Sequence, residues 1–364
     1  MSTAKSSRES LREWCSVITV SESEINLPQL LVNPPHLHPV MPYSAWLRTT
    51  PEDFQVEEIP AYEPAGTGEH LYLWVEKRGL KHGAMLRQIA EWSGTRIRDI
   101  GTAGRKDETA VTRQFVSIPY RDRLKPKSIS DQLTVLSAVR HSNRLRTGHL
   151  QGNQFRITAR LDRTLEAAEL AVLHQRLSLL NESGFPNYFG PQRFGGTGQS
   201  LPQAVAAVLS NRKRRSHAAR FDMSVIQSAV FNVTLAEHVK LMRIAPEPGD
   251  VVIRRGGRKP FAFDEQGETP REDLVTAGPL PGRKMVPAFG FALQVEQLAM
   301  DRCGVTDRIF DENSKVAPGA RRPLLQSFGD LAMTVDQERL VLMFKLPPGS
   351  YATVALRELF KILS

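Results

Sequence analysis

The spacing of apolar residues changes character along the chain, and each change predicts an element. From Trp46 onward, Phe54 and Val56, then Leu71, Leu73 and Val75, recur at every second position, the period of half-buried strands. Met85, Ile89 and Trp92 follow at helical spacing, so a helix is expected before Ile97. The segment "GTAGRKDETAVTRQFVSIP" reads as strand, tight charged loop, strand. Phe155, Ile157, Ala159 and Leu161 alternate with Gln154, Arg156, Thr158 and Arg160, which predicts a strand with one apolar and one basic-polar face. Leu165, Ala168, Val172, Leu177 and Leu180 suggest one face of a helix that Gly184 would stop.

Beyond "GFPNYFGPQRFGGTGQS" the pattern becomes helix-rich, interrupted by the basic run Arg212 to Arg215 and by "DVVIRRGGRKPFAF", two short strands about a Gly-Gly turn. Period two returns at Leu340, Leu342, Phe344 and Leu346, followed by the turn "PPGS" and a helix from Tyr351. Sheet sequence thus brackets helical sequence, so an α+β fold is expected whose first and last parts complete one sheet around an insertion. The expected division is an N-terminal extension with little fixed structure over 1–40, a catalytic domain in two parts, 41–184 and 321–364, and an inserted domain over 185–320.

Composition narrows the class. At 364 residues, 41% hydrophobic and 24% charged, the chain has ordinary globular proportions and room for two cores. No stretch approaches the roughly 18 apolar residues of a membrane span, and the start lacks a basic region followed by an apolar run, so a cytoplasmic address is expected. Cys15 and Cys303 are far apart and outside any CxxC pair, and are read as reduced thiols. The net charge is +9, and the stretch from Arg105 to Arg160 holds 12 Arg or Lys against Asp107, Glu108, Asp122 and Asp131. Nearly the whole surplus therefore sits in one segment, which favours a nucleic-acid backbone as partner.

The common cofactor signatures are missing: there is no GxxxxGK[ST] loop, no HExxH and no acidic calcium loop. "GGTG" at Gly195 to Gly198 follows no strand of a βαβ unit, and the nine histidines show no metal-ligand spacing. An activity without metal or nucleotide cofactor is expected. What remains is a carboxylate among cations, Asp107 beside Arg105 and Lys106. Such neighbours suit an ionised carboxylate, a nucleophile or an ion-pair partner, although local sequence alone would make Asp107 a turn or cap residue.

Five separated blocks make a family assignment possible: "PEDFQVEEI" with "GEHLYLWVEKRG", "AGRKDETAVTRQ", "NRLRTGHLQGNQFRI", "GFPNYFGPQRFG" and "LPPGSYATVALREL". In this order they resemble the tRNA pseudouridine synthase D family, from about residue 46 to the C-terminus. The resemblance implies a pseudouridine-synthase catalytic domain with a mixed, largely antiparallel sheet and a cleft, plus a family-specific α+β insertion. It implies isomerisation of uridine in transfer RNA, at position 13 of the D-arm in bacterial members; the protein is expected to be a monomer.

By motif position the family's catalytic aspartate falls on Asp107 and its basic partner on Arg48, where some members have Lys. The asparagine and aromatic of "GNxF" fall on Asn153 and Phe155, and a C-terminal aromatic falls on Tyr351. The implied roles are nucleophile for Asp107, orienting partner for Arg48, hydrogen bonding to the uracil edge or RNA backbone for Asn153, and stacking for Phe155 and Tyr351. Phe155 shares its strand face with Ile157 and Ala159, so a core role stays open, as does a packing role for Tyr351. Attack at C1′, attack at C6 and a glycal route all remain open for Asp107. Arg144, Arg146, Arg156 and Arg193 are candidate RNA contacts. The alternatives are a catalytically silent RNA-binding or chaperone module on the same fold, and a base glycosylase.

Overall fold

The computed structural model describes residues 26–121, 124–210 and 216–363, which fall into two compact units. The larger unit comprises 36–189, 241–278 and 322–363. Its framework is an eleven-stranded sheet. The first part of the chain supplies β1 (Ser44–Trp46), β2 (Phe54–Pro60), β3 (His70–Arg78), β4 (Gly101–Thr102), β5 (Val111–Pro119), β6 (Ser128–Ser130), β7 (Leu133–His141) and β8 (Leu150–Leu161). The C-terminal part supplies Gly329–Asp336, Arg339–Leu346 and Lys361–Leu363. The strand Arg339–Leu346 pairs antiparallel with β8 over eight residues, so the two ends of the chain close one sheet as the periodicity predicts.

From there the order runs through β8, β2, β5, β3, β7 and β6. The β2–β5 pair and the pair of β1 with Lys361–Leu363 are parallel, while the β8–β2, β5–β3 and β3–β7 pairs are antiparallel. The sheet is therefore mixed and largely antiparallel.

One face of this sheet positions everything that follows. Val56 lies opposite Phe155 on one side and Thr112 on the other, and Thr112 lies opposite Lys77, so the odd or even set containing each residue shares that face. At one end Phe54, Phe155, Ile157, Leu342 and Phe344 pack with Leu173, Leu177 and Leu180 of helix Ala167–Ser183 and with helix Ala352–Leu356. At the other end Leu73, Val75, Val116, Ile118 and Leu133 pack with Met85 and Ile89 of helix His82–Ser93. Between these apolar clusters the same face carries Asn153, Glu58, Gln114, Thr112 and Lys77, a polar seam across the middle of the sheet.

The smaller unit comprises 26–35, 190–240 and 279–321 of the described residues. Its centre is helix Ser216–Lys240, in which Val225, Ile226, Ala229, Val230, Phe231, Val233 and Leu235 are all buried. A helix apolar around most of its circumference belongs in a core rather than on a surface.

Several expectations change. Residues 26–33 are not featureless: Leu27–Val32 is a helix capped by the Asn26 side chain, with Leu30 and Leu31 buried. Pro28 lies so close to Gly198 that a Cβ there would stand 2.7 Å from the Pro28 Cα. Packing thus explains Gly198 of "GGTG", and all three of its glycines lie in the left-handed region. The segment expected as one insertion is divided, because 241–278, with its strands Val251–Arg254 and Pro260–Ala262, groups with the larger unit. Helix Ala167–Ser183 buries Leu173, Leu177 and Leu180, whereas Val172, one position before Leu173, points to solvent. Cys15 and the run Arg212 to Arg215 lie outside the described residues. Cys303 is buried, and burial pushes its thiol up to about 12.

Phe344 is 1% exposed and packs face to face on Phe155 at 5.3 Å and edge-on against Phe328 at 5.1 Å. Phe344→Ala is expected to cost about 3–5 kcal/mol in a denaturant titration, because the cavity lies between two paired sheet strands that cannot collapse into it. A loss below about 1 kcal/mol would show that this cluster does not hold the C-terminal strands to the sheet.

Candidate active site

The loop between β4 and β5 carries "GRKDE" over the polar seam, held there by two lysines. Lys77 is fully buried in β3 and its ammonium donates to the Asp107 backbone carbonyl at 2.5 Å. Burial draws this ammonium down to about 8, against the pull of Asp107 and Glu108. Lys106 reaches the seam from the loop itself. Its Nζ donates to Asn153 Oδ1 at 2.6 Å and pairs with Glu58 Oε2 at 3.0 Å, with the Lys106 and Glu58 side chains 5% and 1% exposed. Glu58 and Asn153 stand directly opposite one another on β2 and β8, so one cation spans a cross-strand pair. Burial raises the Glu58 carboxyl; the Lys106 ammonium and the Phe115 backbone N–H oppose that rise.

With both lysines fixed, Asp107 presents its carboxylate to Arg48. Arg48 Nη2 donates to Asp107 Oδ2 at 2.6 Å, with the arginine side chain 22% and the aspartate 39% exposed. Arg48 follows β1 in the left-handed region, at φ 60°, a conformation a side-chain-bearing residue adopts at a cost of about 1–3 kcal/mol. Its guanidinium lies 4.1 Å from the Phe54 ring centre, and Phe54 in turn meets Phe155 edge-on at 6.2 Å. Nearby, Asp53 is held by two hydrogen bonds from Arg160, each 2.9 Å, and accepts from the Thr50 backbone N–H. Burial alone would raise the Asp53 carboxyl, but these donors hold it below the usual carboxylate range.

The structure therefore brings Asp107, Arg48, Asn153 and Phe155 into one contact network. Phe155 sits in it as a floor: it is 7% exposed, with one face against Phe344. Tyr351 caps helix Ala352–Leu356 and meets Phe189 edge-on at 6.3 Å. It emerges from the turn that follows Leu346, the residue opposite Asn153. At Gly152 a Cβ would lie 2.5 Å from the Leu346 carbonyl oxygen, so glycine is what lets that turn start so close to the seam.

The candidate RNA-binding arginines divide. Arg144 spends its guanidinium on the carbonyls of Arg98 and Ile100, both at 2.7 Å, and so holds the chain entering β4. Arg146 is exposed in the same loop, which is tied to the site loop by the Gly148 N–H on the Ala103 carbonyl at 2.9 Å. Arg156 is exposed, on the face of β8 opposite Asn153 and Phe155. Arg193 belongs to the smaller unit, where it donates to Ser224 Oγ at 3.3 Å.

Sequence reasoning missed Lys77, Glu58, His82 and Arg322, and read Phe54 only as a buried strand position. Lys77 and Glu58 lay in quoted motifs and read as ordinary strand positions, because alternation predicts burial without saying that a charge is buried. His82 opens helix His82–Ser93; burial and the cations Arg105, Lys77 and Lys106 push its imidazole down to about 4. Arg322 binds the Asn187 and Gly349 carbonyls and stacks over Phe189 at 4.2 Å, fixing the turn that carries Tyr351. Among the described residues no group of three His, Cys, Asp or Glu is placed to hold a metal, and no helix is long and apolar enough to cross a membrane.

Comparison with known proteins shows what the chain as a whole is similar to. The family model described as tRNA pseudouridine synthase D matches residues 40–219 and 217–359. A curated protein named tRNA pseudouridine synthase D from Thermus thermophilus is 38% identical over 323 residues, covering 87% of this chain and 88% of that protein. One of the same name from Anaeromyxobacter sp. is 37% identical over 329 residues, covering 86% and 92%. A crystal structure from Methanosarcina mazei, described with the same family name, aligns at a TM-score of 0.68 with 22% identity over 91% of this chain and 97% of that one. At that identity it shows a shared fold.

The depressed Lys77 ammonium makes stability depend on pH. Below about 8 the folded protein carries a buried charge whose penalty is present in full, and the penalty is relieved between about 8 and the unfolded value of 10.5. Lys77→Met lacks this penalty. Its stability relative to the parent protein should therefore fall by about 2 kcal/mol between pH 8 and 10, read from urea unfolding across that range. A difference that does not vary with pH would place the Lys77 ammonium in contact with solvent.

Proposed function

The chain belongs to the tRNA pseudouridine synthase D family, isomerases that act on transfer RNA, and from that premise we propose that it converts uridine 13 of the D-arm through Asp107. The observation that carries this reading is the 2.6 Å contact between Arg48 and Asp107, set over a polar seam in a sheet otherwise apolar on that face. The reaction breaks the N1–C1′ bond, forms a C5–C1′ bond, removes the hydrogen from C5 and delivers one to N1. Substrate and product are isomers, so no oxidant, reductant or group donor enters the balance.

The carboxylate is aimed by two groups in this scheme. Lys77 holds its backbone, Arg48 holds Oδ2, and Oδ1 is left to act on the nucleotide. A uridine in folded RNA has to leave its stack first, at a cost of a few kcal/mol. The extruded base would rest above the Phe155 floor, beside Tyr351, with the Asn153 amide at its edge. Arg146, exposed in the loop tied to the site loop, would take a flanking phosphate. The larger unit would carry the chemistry, and Arg193 of the smaller unit would be a separate RNA contact.

Asp107→Asn keeps shape and removes the charge. It is expected to lower pseudouridine formation in transfer RNA at least 1,000-fold, while binding, read by filter retention, stays within about threefold. Arg48→Lys should retain more activity than Arg48→Met, since a charge without the planar fork orients the carboxylate less well. Undiminished turnover in Asp107→Asn would overturn the assignment. An unmodified D-arm with tight, salt-sensitive binding by the parent protein would favour a silent RNA-binding module instead.

A further inference from the structure

The Lys106 contact fixes more than the loop. An ammonium donates and never accepts, so the Asn153 atom that faces it has to be the amide oxygen. Lys106 itself cannot turn away, because its side chain is buried and paired with Glu58 at 3.0 Å. Glu58 in turn accepts from the Phe115 backbone N–H. The strand register sets Glu58 and Asn153 side by side, and Leu346 closes the other flank of Asn153. Asn153 is part-exposed, so its amide is not sealed in the core. A free asparagine is ambivalent: by turning its amide over it offers a donor or an acceptor at the same point in space. This one cannot turn over.

We infer that Lys106 is a positioning residue that locks Asn153 as a donor, and that the locked amide reads a uracil carbonyl and rejects a base with an amino group there. The inference deepens the proposed function and rests on its reading that the target base enters this groove. Uracil and cytosine differ at C4, where uracil has a carbonyl acceptor and cytosine an amino donor. An N–H fixed toward that position gains a hydrogen bond with uracil and meets a second donor in cytosine. A site built to satisfy one pattern leaves buried polar groups unpaired with the other, which is how large discrimination arises between bases of equal size. Glu58 is what keeps the lock buried: it compensates the Lys106 charge from the neighbouring strand, where the loop could not.

The test couples protein and substrate variants. Single-turnover pseudouridine formation is measured for the full-length protein, Lys106→Met, Asn153→Ala and the double variant, on transfer RNA transcripts carrying uridine, 2-thiouridine or 4-thiouridine at the target. Each single variant is expected to lose at least tenfold on uridine, with the double variant within about threefold of the worse single one. 4-Thiouridine, whose sulfur accepts hydrogen bonds poorly, should slow the parent protein at least fivefold relative to uridine and leave Asn153→Ala no further impaired. 2-Thiouridine should affect the two proteins equally. Losses that multiply in the double variant, or equal 4-thio sensitivity with and without Asn153, would overturn the inference. If Lys106→Met does not fold, as thermal unfolding would show, the thio comparison between the parent protein and Asn153→Ala decides alone. A parent protein that forms no pseudouridine on any transcript would remove the functional reading itself, an outcome distinct from an active enzyme without the coupling.

Discussion

The ammonium of Lys106 is the group on which the site depends. Taking a lysine charge out of water costs several kcal/mol, and the cost is offset only where geometry and hydrogen bonding are good. Here the offset comes from two strands at once, a carboxylate on β2 and an amide oxygen on β8. Because Lys106 immediately precedes Asp107, whatever holds its ammonium also holds the carboxylate beside it. Breaking such a buried pair costs about 3–5 kcal/mol, more than a surface loop has in hand for choosing among conformations. The loop is thereby fastened to the sheet instead of resting on it.

The second hold comes from the chain before β2. Arg48 sits in the left-handed region, so the residues around it have to supply the stability that its backbone gives up. Asp53 does so through Arg160 and the Thr50 N–H, closing a short turn a few residues further on. Phe54 then serves both sides, its face under the Arg48 guanidinium and its ring in a T-shaped contact with Phe155. Position and charge at Arg48 are consequently set by different neighbours, the backbone by the turn and the guanidinium by Phe54 and Asp107.

How much of this could be read from sequence follows from what alternation reports. Phe54, Val56, Leu73, Ile157 and Phe344 were legible as buried positions because period two with apolar side chains has one stable reading on a packed sheet. Closure of the sheet by the two chain ends was legible for the same reason. Glu58 and Lys77 occupy equivalent positions in phase with these residues but are charged, and polarity at such positions reads as exposure until a partner from elsewhere in the chain is known. The partner of Glu58 is 48 residues away and that of Lys77 is 30, so no local pattern contains either pair. Asp107 itself was found by motif, since local chemistry made it a turn residue. The grouping of 241–278 with the larger unit was not legible, because short Gly-punctuated strands carry no mark of the unit to which they belong.

The seam also explains where the fold gives up stability. Gln114 is fully buried with neither amide atom hydrogen-bonded among the described residues, and the buried Thr112 hydroxyl is in the same condition. Groups of this kind cost about 1–3 kcal/mol each, and an apolar pair of similar volume would remove the cost. They lie in the strand that parallels β2, on the same face as Glu58 and Lys77, with apolar clusters on both sides. A sheet under pressure for stability alone would have continued one apolar cluster into the other and buried the whole face under its helices. Keeping the seam polar instead divides that face, and the division is what leaves a charged loop, a locked amide and a carboxylate together at its centre.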